Sequence, residues 1–365
     1  MAQKRNADLE TVYDRLTDAP AGLHDLDAPR AGLPVGAPLD LAELYILIGG
    51  ARLFHEAIEI LPPDAVEPVE DAPHLWRFAT LHGDDLACDK QARIYQWDTA
   101  IDEWLQVASR LDRWLWGQLD AQAVVVDGEG EFAEDVFDAE GELLPHIQHG
   151  MWRAQLKRDA DALAPRFWLG MDLARGGDTE RGRAQLEDCV ARHERFHWGW
   201  HELAKISEQL GEFDNAYDEA VMAAEVAERN QAACAGYLWG HVAKVALLAS
   251  KSAERDAAAQ AVQRLAPNLR AEQLAGLRAC ISEGDRTSAQ GLLALLRAVW
   301  PRDLDVLGLA KQVNAMPEEL VVEEDATDDT DEDDGEPHEA EPASEPARVD
   351  TVAAGAGGHG TGKDG

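Results

Sequence analysis

The hydrophobic pattern separates an N-terminal part of mixed periodicity from a longer C-terminal part of helical periodicity. Residues 1–20 place apolar positions among charged ones and predict an amphipathic helix. Residues 20–38 contain four prolines and predict a loop. The apolar run from Leu39 to Ile48 predicts a second helix that ends at the following glycine pair.

From Trp76 onward, the pattern changes to short apolar runs separated by turn residues. The runs around Phe78, Leu86 and Tyr95 predict two or three antiparallel strands, because such segments bounded by turns are typical of hairpins. Apolar positions from Trp104 to Leu119 then predict a closing amphipathic helix. This part of the chain therefore predicts an α+β domain.

A period of 34 residues organises the C-terminal part of the chain. The turn position of each period is occupied by a glycine or a serine, and a small residue follows five positions later in three of the four periods. A period of this length without strand-like alternation predicts stacked helical hairpins. The windows are 163–196, 197–230, 236–269 and 270–303, with Gly177, Gly211, Ser250 and Gly284 at the turn position.

These windows resemble tetratricopeptide repeats. The resemblance implies an all-α solenoid whose first helices line a protein-binding groove. Ser250, Arg255 and Leu277 depart from the family pattern, so the frame is weakest in the third and fourth repeats. The positions that fit in the second and third windows are Trp200, Leu203, Ala204, Gly211, Ala216, Ala220, Ala223, Trp239, Ala243, Ala259 and Pro267.

In this repeat architecture, positions 2, 5, 9, 12 and 13 of each first helix line the groove. Projected onto this chain, they predict a row of cations beside aromatic side chains, a combination that is typical of interface anchors. We therefore expect the groove to bind a protein or peptide, including an acidic one. The candidate partner-binding residues are Phe167, Arg175, Trp198, His201, Lys205, Tyr237, Lys244 and Arg278.

Four short motifs stand out in residues 33–120. They are Gly49-Gly50, Gly83-Asp84, Tyr95-Gln96-Trp97-Asp98 and Leu111-Asp112-Arg113-Trp114. With these motifs, residues 33–120 resemble the SUKH superfamily of Smi/Knr-like domains, although the Arg113-Trp114 pair departs from the family's more typical phenylalanine-plus-acid pair. The resemblance implies a small antiparallel sheet with a closing helix, a protein-binding function and no catalytic residues. Within that family it implies either a regulatory adaptor or an immunity protein that neutralises a polymorphic toxin.

Charge and cysteine content narrow the functional classes. The net charge of −37 argues against binding to nucleic acid and to anionic membranes. Four widely spaced cysteines without a CxxC pair, and an N-terminus without an apolar signal segment, predict a cytoplasmic protein with reduced thiols. We expect neither a metal nor a cofactor.

One motif predicts a different function. His193-Glu194-Arg195-Phe196-His197 matches HExxH, in which two histidines on one helix bind zinc and the glutamate acts as a base. In the repeat frame, His193 ends one window and His197 begins the next, so a shared helix is not expected. A non-catalytic interaction scaffold is the favoured function, and a zinc-dependent hydrolase is an alternative.

We predict that the chain has five parts, of which the last is an acidic tail. The tail contains many acidic residues and no aromatic ones, and this composition predicts disorder. This tail either solvates the protein or folds back on the groove and competes with a partner. The parts are an N-terminal helix and loop (1–32), the α+β SUKH-like domain (33–120), a connector with a capping helix (121–162), four repeats with a capping helix (163–316) and the tail (317–365).

Overall fold

One antiparallel sheet forms the centre of the N-terminal part. The structure, a computed structural model, describes residues 7–139 and 141–317. Within these residues the strand order is β1-β2-β3-β5-β6-β7-β8, and β4 pairs with the start of β5. The strands are β1 His24–Leu26, β2 Ala51–Leu53, β3 Ile58–Ile60, β4 Glu67–Pro68, β5 Trp76–Leu81, β6 Asp84–Cys88, β7 Ile94–Asp98 and β8 Glu103–Ala108.

The strands predicted from Trp76 onward are confirmed as β5, β6 and β7. The turn between β5 and β6 has two residues, His82 and Gly83, with φ angles of 52° and 90°. Positive φ at both positions is the geometry that matches the twist of a hairpin. The short strands β1 to β4 were not predicted, because an alternation over only two or three residues is too short to be recognised in a sequence.

The closing helix predicted from Trp104 to Leu119 is wrong in its first part. The strand β8 occupies Glu103–Ala108, and the helix starts only at Leu111. In β8, Leu105 and Val107 are buried whereas Gln106 between them is half-buried, as expected for a strand with one face on the core. Pairing with β7 places Trp104 opposite Trp97, with ring centroids 5.6 Å apart.

Three helices belong to the sheet region. They are α1 Ala7–Thr17, α2 Leu39–Leu47 and α3 Leu111–Gln122. The first two confirm the helices predicted from the apolar pattern. The apolar face of α1 is buried through Leu9, Val12 and Leu16, as its amphipathic pattern predicts.

Eight of the ten remaining helices in the described residues form four antiparallel hairpins at the predicted spacing, one in each window. The turn residues Gly177, Gly211 and Gly284 have φ angles of 91°, 76° and 83°, and Ser250 adopts the same left-handed conformation with φ of 60°. The third window therefore keeps the hairpin although it lacks glycine. The helices are α4 Pro145–Arg158, α5 Leu163–Arg175, α6 Thr179–Arg192, α7 His197–Gln209, α8 Phe213–Arg229, α9 Ala235–Leu248, α10 Ser252–Leu265, α11 Leu269–Glu283, α12 Arg286–Val299 and α13 Leu304–Ala315.

Close packing explains the small residues of the first hairpin. A Cβ atom added at Gly182 would lie 2.6 Å from the backbone nitrogen of Ala174 and 2.7 Å from the carbonyl oxygen of Gly170. In the fourth window, by contrast, Leu277 is fully buried in an apolar cluster with Leu293 and with residues of α13. The larger side chain is accommodated there as part of the core.

The sheet and the first hairpins share one hydrophobic core. A single apolar cluster contains Phe78 and Leu105 of the sheet together with Phe167 of α5 and Leu203 of α7. The described residues fall in one compact unit, and none of their helices is long and apolar enough to cross a membrane. The predicted acidic tail lies outside the described residues, apart from Pro317.

Candidate partner-binding site

Five of the eight predicted groove residues meet where α7 faces α9. Helical spacing of three or four residues places each helix's contribution on one face. The ring of His201 is the centre of the group, with ring centroids 5.6 Å from Trp198, 5.8 Å from Tyr237 and 4.8 Å from His241. We call this group the α7–α9 cluster; its members are Trp198, His201, Glu202, Lys205, Glu208, Tyr237, His241 and Lys244.

A buried hydrogen-bond network connects the two helices. His241 Nε2 lies 3.0 Å from Glu208 Oε2, and His241 Nδ1 lies 3.2 Å from His201 Nδ1. An ionised carboxylate only accepts hydrogen bonds, so Nε2 of His241 donates to Glu208. In neutral His241, Nδ1 must then accept, and His201 donates from its own Nδ1.

Burial keeps both histidines neutral. Each is only 5% exposed, and this burial is the main cause that lowers the pKa of His201 and of His241. The neighbouring cations Lys205 and Lys244 lower the pKa of His201 further. Burial alone would raise the pKa of Glu208, but hydrogen bonds from His241 and Lys244 outweigh it and the pKa is lowered.

These pKa directions predict a loss of stability in acid. In the unfolded chain both histidines titrate near their usual pKa of about 6.5, whereas in the folded protein they resist protonation. Lowering the pH from 7 to 5 should therefore reduce the free energy of unfolding, by up to about 1.4 kcal/mol per pH unit for each histidine. Urea unfolding at several pH values measures this slope.

A pair of substitutions assigns the slope to the cluster. We expect His201→Asn, which retains a polar atom near the position of Nδ1, to have a shallower pH dependence than the unmodified protein. His146→Asn, at an exposed position of α4, should leave the dependence unchanged. Equal slopes for the unmodified protein and His201→Asn would contradict the assignment.

The cations of the cluster are already paired. Lys205 Nζ lies 2.8 Å from Glu202 Oε2, and Lys244 Nζ lies 2.7 Å from Glu208 Oε1. The predicted basic row is therefore electrically compensated at these two positions. A partner can contact the side chain of Tyr237, which is 37% exposed. It can also form hydrogen bonds with the two lysine–glutamate pairs.

One donor in the cluster has no partner. The indole Nε1 of Trp198 is buried, and no acceptor among the described residues lies within hydrogen-bond distance. A buried donor without an acceptor costs on the order of 1–3 kcal/mol. Because the atom is buried, a partner could reach it only if the surrounding side chains moved.

Comparisons with known proteins identify no family for this chain. No family model matches, and no curated protein matches. Among solved structures, YrrB, a TPR protein with an unusual peptide-binding site, is similar over 44% of this chain and 90% of its own, with 12% identity and a TM-score of 0.30. The APC/C hetero-tetramer Cut9-Hcn1 is similar over 47% of this chain and 36% of its own, with 13% identity and a TM-score of 0.28. Similarities of this size carry no argument about function.

The other three predicted residues lie outside the α7–α9 cluster. Phe167 is only 2% exposed and packs in the core, where its ring is 5.0 Å from that of Phe196. Burial therefore removes Phe167 from direct reach of a partner, and the same holds for His201, which is 5% exposed. Arg175 at the end of α5 and Arg278 on α11 are both exposed.

Three residues of the cluster were missed by the sequence projection. Glu208 occupies position 12 of its window, so the same rule could have found it. Glu202 and His241 each follow position 5 of their window directly, so the projection does not include them. They join the α7–α9 cluster only because α7 packs against α9.

The structure confirms that HExxH straddles two helices. His193 follows the last residue of α6, and His197 is the first residue of α7. The Nε2 atom of His193 lies 3.1 Å from the carbonyl oxygen of Asp161, whereas His197 points to a different set of side chains. The two histidines therefore lack the shared helix on which the zinc-hydrolase alternative depends.

Proposed function

We propose that this chain is a non-catalytic scaffold that binds a protein or peptide at the α7–α9 cluster. The observation that carries the proposal is the cluster itself, which groups an exposed tyrosine, a half-buried tryptophan and two lysines on α7 and α9. Aromatic anchors beside polar groups are typical of the residues that dominate binding energy. Helices hold such groups in fixed positions, so little ordering is needed on binding.

The charges of the cluster limit which partner it favours. Since Lys205 and Lys244 already contact Glu202 and Glu208, an acidic partner has to share these lysines with the internal carboxylates. We propose a partner segment that packs an apolar side chain on the exposed ring of Tyr237. Arg175 and Arg278, both exposed, extend the proposed surface on α5 and α11.

The N-terminal part enters the proposal through its resemblance to SUKH domains. The antiparallel sheet with a helix after its last strand agrees with the fold that the resemblance implies, and the protein-binding function of residues 33–120 is part of the proposal. The immunity-protein alternative rests on that resemblance alone, and no described contact favours it over an adaptor. We also propose that the chain is divided into the five parts predicted from the sequence and that the protein is cytoplasmic.

A peptide selection on the full chain tests the proposed binding site. A random peptide library would be selected on the immobilised protein, and dissociation constants would be measured by fluorescence anisotropy. We expect Tyr237→Ala to weaken binding about thirtyfold, the effect of losing roughly 2 kcal/mol at an anchor residue. Circular dichroism would verify that the variant remains helical.

Tyr217 provides the matched control. It is a half-buried tyrosine on the neighbouring helix α8, where Lys251 lies over its ring at 4.1 Å, outside the α7–α9 cluster. Tyr217→Ala should change the dissociation constant by no more than about twofold, as near-neutral surface positions do. Selected peptides that bind Tyr237→Ala as tightly as the unmodified protein would reject this site.

A further inference from the structure

Three potential metal ligands from separate elements converge near the junction of the sheet and the repeats. Glu103 begins β8, His197 begins α7 and Cys234 immediately precedes α9. His197 Nε2 lies 3.0 Å from Glu103 Oε1 and 3.2 Å from Cys234 Sγ, and all three ligand atoms lie within 4.8 Å of one another. No sequence motif connects these residues, so only folding reveals the group.

The direction of the three side chains distinguishes this group from an ordinary ion pair. Both the carboxylate and the sulfur approach the same nitrogen, Nε2 of His197. One imidazole nitrogen can donate only one proton, so it cannot make a strong hydrogen bond to both neighbours. A cation placed between the three atoms would satisfy all of them at once.

The donor set and its spacing fit zinc. Thiolate, imidazole and carboxylate together are ligands that Zn²⁺ accepts, at distances of about 2.0–2.3 Å. Tetrahedral geometry at these bond lengths places neighbouring ligand atoms about 3.3–3.6 Å apart. The two contacts to His197 Nε2 are a few tenths of an ångström shorter, and the Glu103 and Cys234 ligand atoms lie within 4.8 Å of each other, so small side-chain rotations would make room for the ion.

We propose that Glu103, His197 and Cys234 form a Zn²⁺ site with three protein ligands and a fourth position for water. His197 is 4% exposed, while Glu103 and Cys234 are half-buried, so the ion would be shielded but reachable. A cleft of about 510 Å³ that includes Glu103, Tyr95 and Arg195 in its lining, but neither His197 nor Cys234, lies beside the site.

The position of the three ligands predicts that the ion links parts of the fold, while its open fourth position is the coordination typical of catalytic zinc sites. The ion would connect β8 to the starts of α7 and α9, which lie far apart in sequence. Such a link stabilises the folded state by the binding free energy of the metal, because the unfolded chain does not preform the site. This role does not depend on the proposed partner-binding function.

Metal analysis of the full chain provides the test. After saturation with zinc and dialysis, we expect one zinc per chain by atomic emission. With Co²⁺ in place of zinc, the absorption spectrum should show a thiolate-to-cobalt charge-transfer band. Cys234→Ser should abolish that band, and removal of any one ligand should weaken zinc binding by at least about 100-fold.

Matched variants separate the site from chance binding. Cys280→Ser changes another half-buried free cysteine and should leave both the zinc content and the cobalt band intact. Glu103→Gln preserves the size of the side chain and should weaken zinc binding without unfolding the protein, as monitored by thermal melting. Zinc content equal in the unmodified protein and Cys234→Ser, or a cobalt spectrum without the charge-transfer band, would overturn the proposal.

Discussion

Gly182→Ala is expected to lower the free energy of unfolding by about 2–3 kcal/mol, the range for overpacking a tight contact. The new Cβ atom would lie 2.6 Å from a backbone nitrogen of α5 and 2.7 Å from a backbone carbonyl oxygen of Gly170. Backbone atoms cannot rotate away, so α5 and α6 must move apart. Without this clash, alanine would stabilise a helix by about 1 kcal/mol relative to glycine.

Gly291→Ala serves as the opposite control. Gly291 also lies within a helix, α12, but it is exposed and nothing lies within 4 Å of the added Cβ position. This substitution should therefore raise the free energy of unfolding by about 0.5–1 kcal/mol. Urea unfolding of both variants measures the contrast, and a change of the same sign in both would contradict the close-packing explanation.

Asp159→Ala is the second substitution with a large expected effect. Asp159 follows α4, is 2% exposed, and accepts hydrogen bonds from the backbone N–H groups of Ser109 and Asp161 and from the Arg113 side chain. It thereby connects the end of the sheet to the start of the repeats. Removing the carboxylate leaves these donors without their acceptor and should cost about 3 kcal/mol.

The neighbouring Asp161 shows what an exposed carboxylate contributes. Its side chain is 59% exposed and pairs with Arg192, which is 39% exposed. Asp161→Ala should change the free energy of unfolding by less than about 1 kcal/mol, because solvent screens such pairs. If thermal or urea unfolding gave equal losses for Asp159→Ala and Asp161→Ala, the connecting role of Asp159 would be refuted.

The helical hairpins were predictable because their signal is local. Each hairpin needs a residue that tolerates positive φ at the turn, and these residues recur at a fixed spacing from Gly177 to Gly284. Even Ser250 adopts the expected conformation, so the departure from glycine did not shift the frame. Most of the sheet was not predictable, since β1 pairs with β2 across the whole of α2 and each has only three residues.

The candidate site was predictable in part for the same reason. Helical spacing along α7 is enough to place Trp198, His201 and Lys205 on one face. It does not reveal that Glu208 contacts both His241 and Lys244, because those residues belong to the next hairpin. The sequence therefore predicted a basic groove, and the packing of α7 against α9 turned it into a compensated network with neutral histidines.

The sequence by itself determined the period, the helical hairpins and the residues that each first helix presents on one face. Those properties depend on backbone propensity and on spacings of a few residues. Tertiary structure alone decided which helix faces meet. It had the largest effect on the interpretation of His197. In sequence that residue completes HExxH with His193; in the fold it meets Glu103 and Cys234 instead. Contacts between residues far apart in the chain leave no periodic trace, because packing, and not local spacing, brings them together.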